Sequence, residues 1–225
     1  MKELENRYKG DLGNDYHSDK HLLSDKIKEL MYESRSKKFI KHVNPNTVLL
    51  EYGVGGGFNL NKLICKEKHG FDIAVSVQEE VEKLGIKFII NEKDLKEEYY
   101  DVVICNHVLE HVTNPIETLN LIKAKLKKDG QLLLVIPLEN QRKFLKFNKE
   151  DKDFHLFAWN VQTITYLVTQ VGFTCTETKI LDYGFDRFSW SLILKYRLPK
   201  FLFQSFFKTF NFLRPTQEVF LVLKK

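Results

Sequence analysis

Short runs that are apolar at every position, and not merely at every second one, recur along this chain: "VLL" before Glu51, "VVIC" at 102–105, "LLLVIP" at 132–137 and "VFLVL" at 219–223. A strand of that kind has no face to give to water. It must lie in a sheet covered on both sides, the usual situation of parallel strands joined by helices. The stretches between the runs carry the matching helical signals. Leu23, Ile27, Leu30 and Met31 stand at helical spacing within 19–42. Further helices are expected from Phe58 to Lys68, stopped by Gly70, and over "EEVEKL", stopped by Gly85. Asn114 and Pro115 open a helix over 116–127 that ends near Asp129-Gly130, and Asn160 caps one over 161–170, closed by Gly172. Strands are expected at "TVLLEY", "FDIAVSV", "IKFII", "YYDVVICN", "QLLLVIP", "FTCTETKI" and "EVFLVLKK". The fold class that follows is α/β: a Rossmann-like, doubly wound, mostly parallel seven-stranded sheet. We read residues 1–45 as an N-terminal helical cap or lid and 46–225 as one domain, with an aromatic-rich insertion at about 184–215.

In such a sheet ligands gather beyond the carboxyl ends of the strands, and the first strand-to-helix turn is the usual cradle. Here that turn is "EYGVGGGF", with Glu51 at the strand's end and Gly53, Gly55, Gly56 and Gly57 after it. A dinucleotide fingerprint would need glycine where Phe58 stands, and a phosphate P-loop would need the missing Gly-Lys-Ser/Thr. Composition narrows the field further. A formal charge of +5 from 35 basic and 30 acidic residues, widely spread, is no nucleic-acid footprint. Cys65, Cys105 and Cys175 form no CxxC pair, which suits reduced thiols in a cytoplasmic protein, and no window is long and apolar enough to cross a membrane.

The glycine turn and a second stretch, "DVVICNHVLEHVTNPIETLNLIKAKLKKDG", together resemble the class I S-adenosylmethionine-dependent methyltransferases, in their small-molecule branch. The matching residues are Asp101–Val103, Leu109–His111 and Leu126–Gly130, with Asp129 where that family has glycine; "HLFAWNVQTITYLVTQVGF" resembles its segment after the sheet. The resemblance covers roughly 46–180. It implies S-adenosylmethionine as cofactor, Glu51 near its ammonium, and Gly53, Gly55 and Gly57 beneath its methionyl part. By the same resemblance Ser76 and Val77 stand where an acid normally binds the ribose, Asn91 and Glu92 flank the adenine, and Asn106 meets the methionine end.

Methyl transfer from a sulfonium is an in-line displacement, so positioning outweighs nucleophilic catalysis. A hydroxyl acceptor profits from a base, and three histidines stand where one is wanted: His107, His111 and His155, of which His155 is the preferred base. Two histidines four residues apart do not make a metal site, and no metal is assigned. Tyr16 and His17 are read as part of a lid over substrate. The expected acceptor is a small molecule methylated on oxygen, such as a sugar, a glycan precursor or a lipid-like metabolite, and nucleic acid is not expected. Two other readings stay open: a binding or scaffold protein that has lost chemistry, and a nicotinamide-dependent reductase. Phe203, Phe206, Phe207 and Phe210 fall at helical spacing beside lysines, which suits core packing, a homodimer contact or a peripheral membrane contact.

Overall fold

The computed structural model describes residues 24–139 and 154–225. The described chain runs α1 (Asp25–Ser36), β1 (Val48–Tyr52), β2 (Glu67–Phe71), α2 (Gln78–Lys83), β3 (Lys87–Ile89), β4 (Tyr100–Asn106), α3 (Pro115–Lys125), β5 (Leu126–Leu138), α4 (Val161–Gln170), β6 (Thr174–Asp182), α5 (Asp186–Lys195), α6 (Phe203–Leu213) and β7 (Gln217–Lys224). The strands form one seven-stranded sheet in the order β3-β2-β1-β4-β5-β7-β6. All pairings are parallel except those of β7, which runs antiparallel to β5 and β6.

Both faces of the sheet are covered, as the unbroken apolar runs require. Leu50, Val103, Leu132, Leu134 and Leu221 point to a cluster closed by Leu119 and Ile122 of α3 and Ile164 and Val168 of α4. The alternate residues Leu49, Val102, Ile104, Leu133 and Phe220 point the other way, towards Phe39, Leu63 and Val81 of α2. A third cluster joins Leu30, Met31 and Tyr32 of α1 to Trp190 and Ile193 of α5 and Phe203 of α6. Arg35 fixes the same junction with two bonds to Asp186, from Nε at 2.6 Å and Nη2 at 3.3 Å.

The caps read from sequence are present. Asn114 Oδ1 accepts from Glu117 N at 3.2 Å with Pro115 at the first helical position, and Asn160 Oδ1 accepts from Thr163 N at 2.9 Å. The expected helix from Phe58 to Lys68 is absent. Residues 53–62 form successive turns instead, in which the Asn59 side chain turns inward to Glu51, the kind of competing side-chain bond that disfavours helix. β2 consequently begins early, at Glu67, and ends at Phe71, so Gly70 lies within the strand and does not stop a helix. Asp129 and Gly130 likewise fall inside β5, because α3 ends at Lys125. No helix among the described residues is long and apolar enough to cross a membrane.

Candidate functional site

The order of the sheet reverses at β1, which lies between β2 and β4, and the carboxyl ends of these strands open onto a cleft of about 1020 Å³. That is the upper end of the range of small-molecule sites. Its floor is the turn after β1. Gly53 N and Val54 N both donate to Phe71 O, at 2.8 and 2.9 Å, and Gly55 N donates to Asp72 Oδ2 at 2.8 Å. The turn therefore offers a ligand bare surface, and these three amides are already engaged.

Gly53 and Gly55 have φ of +82° and +47°, left-handed conformations that side chains rarely adopt. Space decides as much as conformation at Gly53, where an added Cβ would lie 2.3 Å from Val108 Cγ2. Gly53, Gly55 and Gly56 line the cleft, whereas Gly57 does not. A Cβ at Gly57 would meet Leu84 at 2.9 Å and Ile86 at 3.1 Å, so its bareness serves the protein's own packing.

Glu51 lies at the head of the cleft and is 1% exposed. One of its oxygens accepts from Asn59 Nδ2 at 2.5 Å; the other, Oε2, has no partner. Burial raises its carboxyl to about 8, against the pull of the Asn59 bond and the Lys38 ammonium. A cation brought against the free oxygen would favour the ionised form of this carboxyl.

Asp72 follows β2 and also lines the cleft, with Oδ1 accepting from Ala74 N at 3.0 Å. It stands at the strand's carboxyl end, where the family resemblance suggested Ser76 and Val77. Those two belong to a 3-10 turn further on: Ser76 is exposed and Val77 packs in the core, and neither lines the cleft. The acid was visible in "GFDIA", but an apolar run over 71–77 concealed where the strand stops. Asn91 and Glu92 are on the cleft wall, with Glu92 accepting from Tyr52 Oη.

The histidines separate into two groups. His107, at φ +55°, lines the cleft and bonds through Nε2 to Glu218 Oε2 at 2.9 Å. Lys38 Nζ donates to Glu218 Oε1 at 2.7 Å and to Asn106 Oδ1 at 2.8 Å, so Asn106 engages its side chain with protein where it borders the cleft. Burial alone would raise the Glu218 carboxyl, but the Lys38 ammonium and His107 hold it down at about 2. His111 lines the cleft and meets the ring of His155 edge-on, with centroids 4.8 Å apart. His155 is set behind it: it does not line the cleft, and its Nδ1 bonds to Glu139. Tyr16 and His17 lie outside the described residues. Arg35 and Asn59, which also border the cleft, carry no motif that singles them out in the sequence.

The family model of a methyltransferase domain matches residues 16–178. Among curated proteins, the chain is 34% identical over 116 residues to an uncharacterized protein of Methanocaldococcus jannaschii, covering 48% of this chain and 53% of that one. It is 33% identical over 112 residues to a tRNA U34 carboxymethyltransferase of Helicobacter pylori, covering 42% and 43%. The chain thus spans about half the length of the curated relatives it matches. A crystal structure of a SAM dependent methyltransferase from Archaeoglobus fulgidus superposes with a TM-score of 0.58 at 17% identity, covering 88% of this chain and 94% of that one, a likeness of fold.

Proposed function

The chain belongs to the methyltransferase-domain family, and on that premise we propose that it moves the methyl group of S-adenosylmethionine to an oxygen of a small-molecule acceptor. The observation that carries the cofactor assignment is Glu51: a buried carboxyl with one unpartnered oxygen at the head of a cleft, beside a glycine turn. The donor's ammonium supplies the missing partner. Its methionyl part lies on Gly53, Gly55 and Gly56, Asp72 takes the ribose hydroxyls, and Asn91 and Glu92 border the adenine. The protein's contribution is placement, which recovers about 7–11 kcal/mol of barrier when the reacting atoms are aligned.

Calorimetry with S-adenosylhomocysteine and an acceptor screen scored by homocysteine release test this directly. Asp72→Ala is expected to weaken S-adenosylhomocysteine binding by about 10- to 100-fold, since hydrogen bonds to a charged group contribute about 1.5–3 kcal/mol each. Unchanged affinity in that variant would remove Asp72 from the site. No binding by the parent at millimolar ligand would favour a scaffold protein, and retention of a nicotinamide dinucleotide a reductase. The Helicobacter pylori relative is named for work on tRNA, so tRNA belongs in the screen, and transfer to it would overturn the small-molecule assignment.

The acceptor is met at a membrane surface. From Arg187 to Thr216, both included, stand six basic residues and no acid. Phe201, Phe212 and Leu213 are exposed by 78%, 85% and 73%, while Trp190 and Phe203 of the same helical pair are buried against α1. Exposed aromatics with surrounding cations suit an anionic lipid interface. The chain is expected to co-sediment with vesicles containing phosphatidylserine, not with neutral ones, and to be released by salt. The triple variant Lys195→Glu, Lys200→Glu, Lys208→Glu should bind about 100-fold more weakly, at about 1 kcal/mol per cation lost; equal binding to neutral vesicles would count against the assignment.

A further inference from the structure

Behind the cleft, the segment after β4 meets the segment before α4 in a way the binding of a methyl donor does not use. The Glu110 side chain is fully buried, and neither of its carboxyl oxygens has a hydrogen-bond partner. Leaving a buried polar group unpaired is costly, so the groups beside it are the question. His111 Nε2 stands 3.9 Å from Glu110 Oε1, and one ligand atom from each of Glu110, His111 and His155 lies within 4.8 Å of the other two. The juxtaposition is built by backbone: Leu156 N and Phe157 N donate to Glu110 O at 2.7 and 3.3 Å, which holds His155 against the Glu110-His111 pair. His155 Nδ1 also bonds to the Glu139 carboxylate.

We propose that Glu110, His111 and His155 bind a divalent cation of the manganese-to-zinc series, with Glu139 as the carboxylate that orients His155. Imidazole nitrogen suits these first-row ions, and two imidazoles with one carboxylate form a set that leaves coordination positions open. A ligating histidine that gives its second N–H to a carboxylate is the usual outer arrangement of such sites. Donors each about 2.1 Å from a tetrahedral ion stand about 3.4 Å apart, so side chains whose ligand atoms lie within 4.8 Å of one another must close by up to about 1.4 Å, a shift that rotation of the side chains supplies.

His111 belongs to both places, since it also lines the cleft. Resting on the methyl-transfer assignment above, the ion's open positions receive the acceptor's hydroxyl oxygen and make its proton more acidic. That proton leaves to solvent, the oxygen lone pair forms the new C–O bond, the C–S bond of the sulfonium breaks, and its electron pair stays on sulfur. No protein base is then required, which fits a His155 that is engaged with Glu139 and set back from the cleft.

The test is binding of the metal alone. The full-length chain, stripped with chelator, is titrated separately with Zn²⁺, Mn²⁺ and Mg²⁺ against a chromophoric competitor, with circular dichroism and melting curves confirming the fold of each variant. One equivalent of Zn²⁺ or Mn²⁺ is expected, with affinity at least tenfold lower in Glu110→Gln and in His155→Ala, about 10- to 100-fold lower in Glu139→Gln, and unchanged in His42→Ala. Absence of stoichiometric binding by the parent, or binding unaffected by both Glu110→Gln and His155→Ala, would overturn the site. Binding of S-adenosylhomocysteine to the stripped chain is measured in parallel. It separates the two ideas, because a chain that takes the ion and not the nucleoside keeps the metal site while losing the methyl-transfer assignment, and the reverse also holds.

Discussion

A Glu51→Gln chain will bind S-adenosylhomocysteine at least tenfold more weakly than the parent at pH 8, and its affinity will no longer depend on pH between 6 and 8. Burial raises the Glu51 carboxyl to about 8, so the empty parent holds a proton there at neutral pH. An ammonium brought against that oxygen favours the ionised form, and the proton must leave on binding. Parent affinity therefore climbs with pH through this window, by up to about tenfold per unit. Calorimetry in buffers of different ionisation heat will report close to one proton released at pH 6 to 7, about half of one at pH 8, and none in the variant. The stability of the empty chain moves the opposite way. An acid whose folded value exceeds its ordinary 4.5 binds more protons folded than unfolded, so its contribution is intact below about 4.5 and is lost as pH rises to about 8. The full loss is at most about 5 kcal/mol, from 1.36 kcal/mol per unit. Melting curves at pH 8 should accordingly show Glu51→Gln more stable than the parent when empty. Equal ligand affinity in the two chains at pH 8 would remove Glu51 from the site.

Gly53→Ala will destabilise the chain by about 2–6 kcal/mol, combining left-handed backbone strain of about 1–3 kcal/mol with overpacking of similar size. The new methyl group would stand 2.3 Å from Cγ2 of Val108, two residues beyond the end of β4, so that side chain must shift to admit it. For a chain of this size the melting temperature should fall by roughly 5–20 °C. Ligand affinity should fall with it, because Gly53 and Val108 both line the cleft. Gly85→Ala is the contrast: φ is +73° there too, but nothing lies within 4 Å of the added Cβ, so only the backbone strain remains. Equal melting of the Gly53 and Gly85 variants would show that the contact with Val108 carries no weight.

What could be read from residues alone was whatever local chemistry decides. Asn114 before Pro115 and Asn160 before Val161 each cap a helix because the cap is a bond between neighbours in sequence. The buried strands were legible because a wholly apolar run has nowhere else to go. The turn after β1 was legible because its glycines serve conformation. The end of β2 was hidden: hydrophobicity continues through Ile73, Ala74 and Val75, and the strand stops at Phe71 because its carbonyl is taken by Gly53 N and Val54 N of another element. Ser76 was accordingly read at the strand's end, where Asp72 stands. The setting of His155 behind His111 was hidden for a related reason, since it depends on amides at 156 and 157 finding the carbonyl of Glu110. Histidine types alone suggested a base; only their arrangement, with an unpaired carboxyl between chain segments, suggests an ion.

The position of β7 has a consequence for how the chain comes off the ribosome. It is the last of the described strands to be made, yet it sits between β5 and β6, and β6 pairs with β7 alone. Until it emerges, β5 has a naked edge and β6 nothing to join. Glu218, near its start, also ties down Lys38 and His107, so the segment just after α1 is secured to the rest by a residue made long after it. The nascent polypeptide must wait with its hydrophobic layer open, an interval in which chaperone cover matters more than any later step.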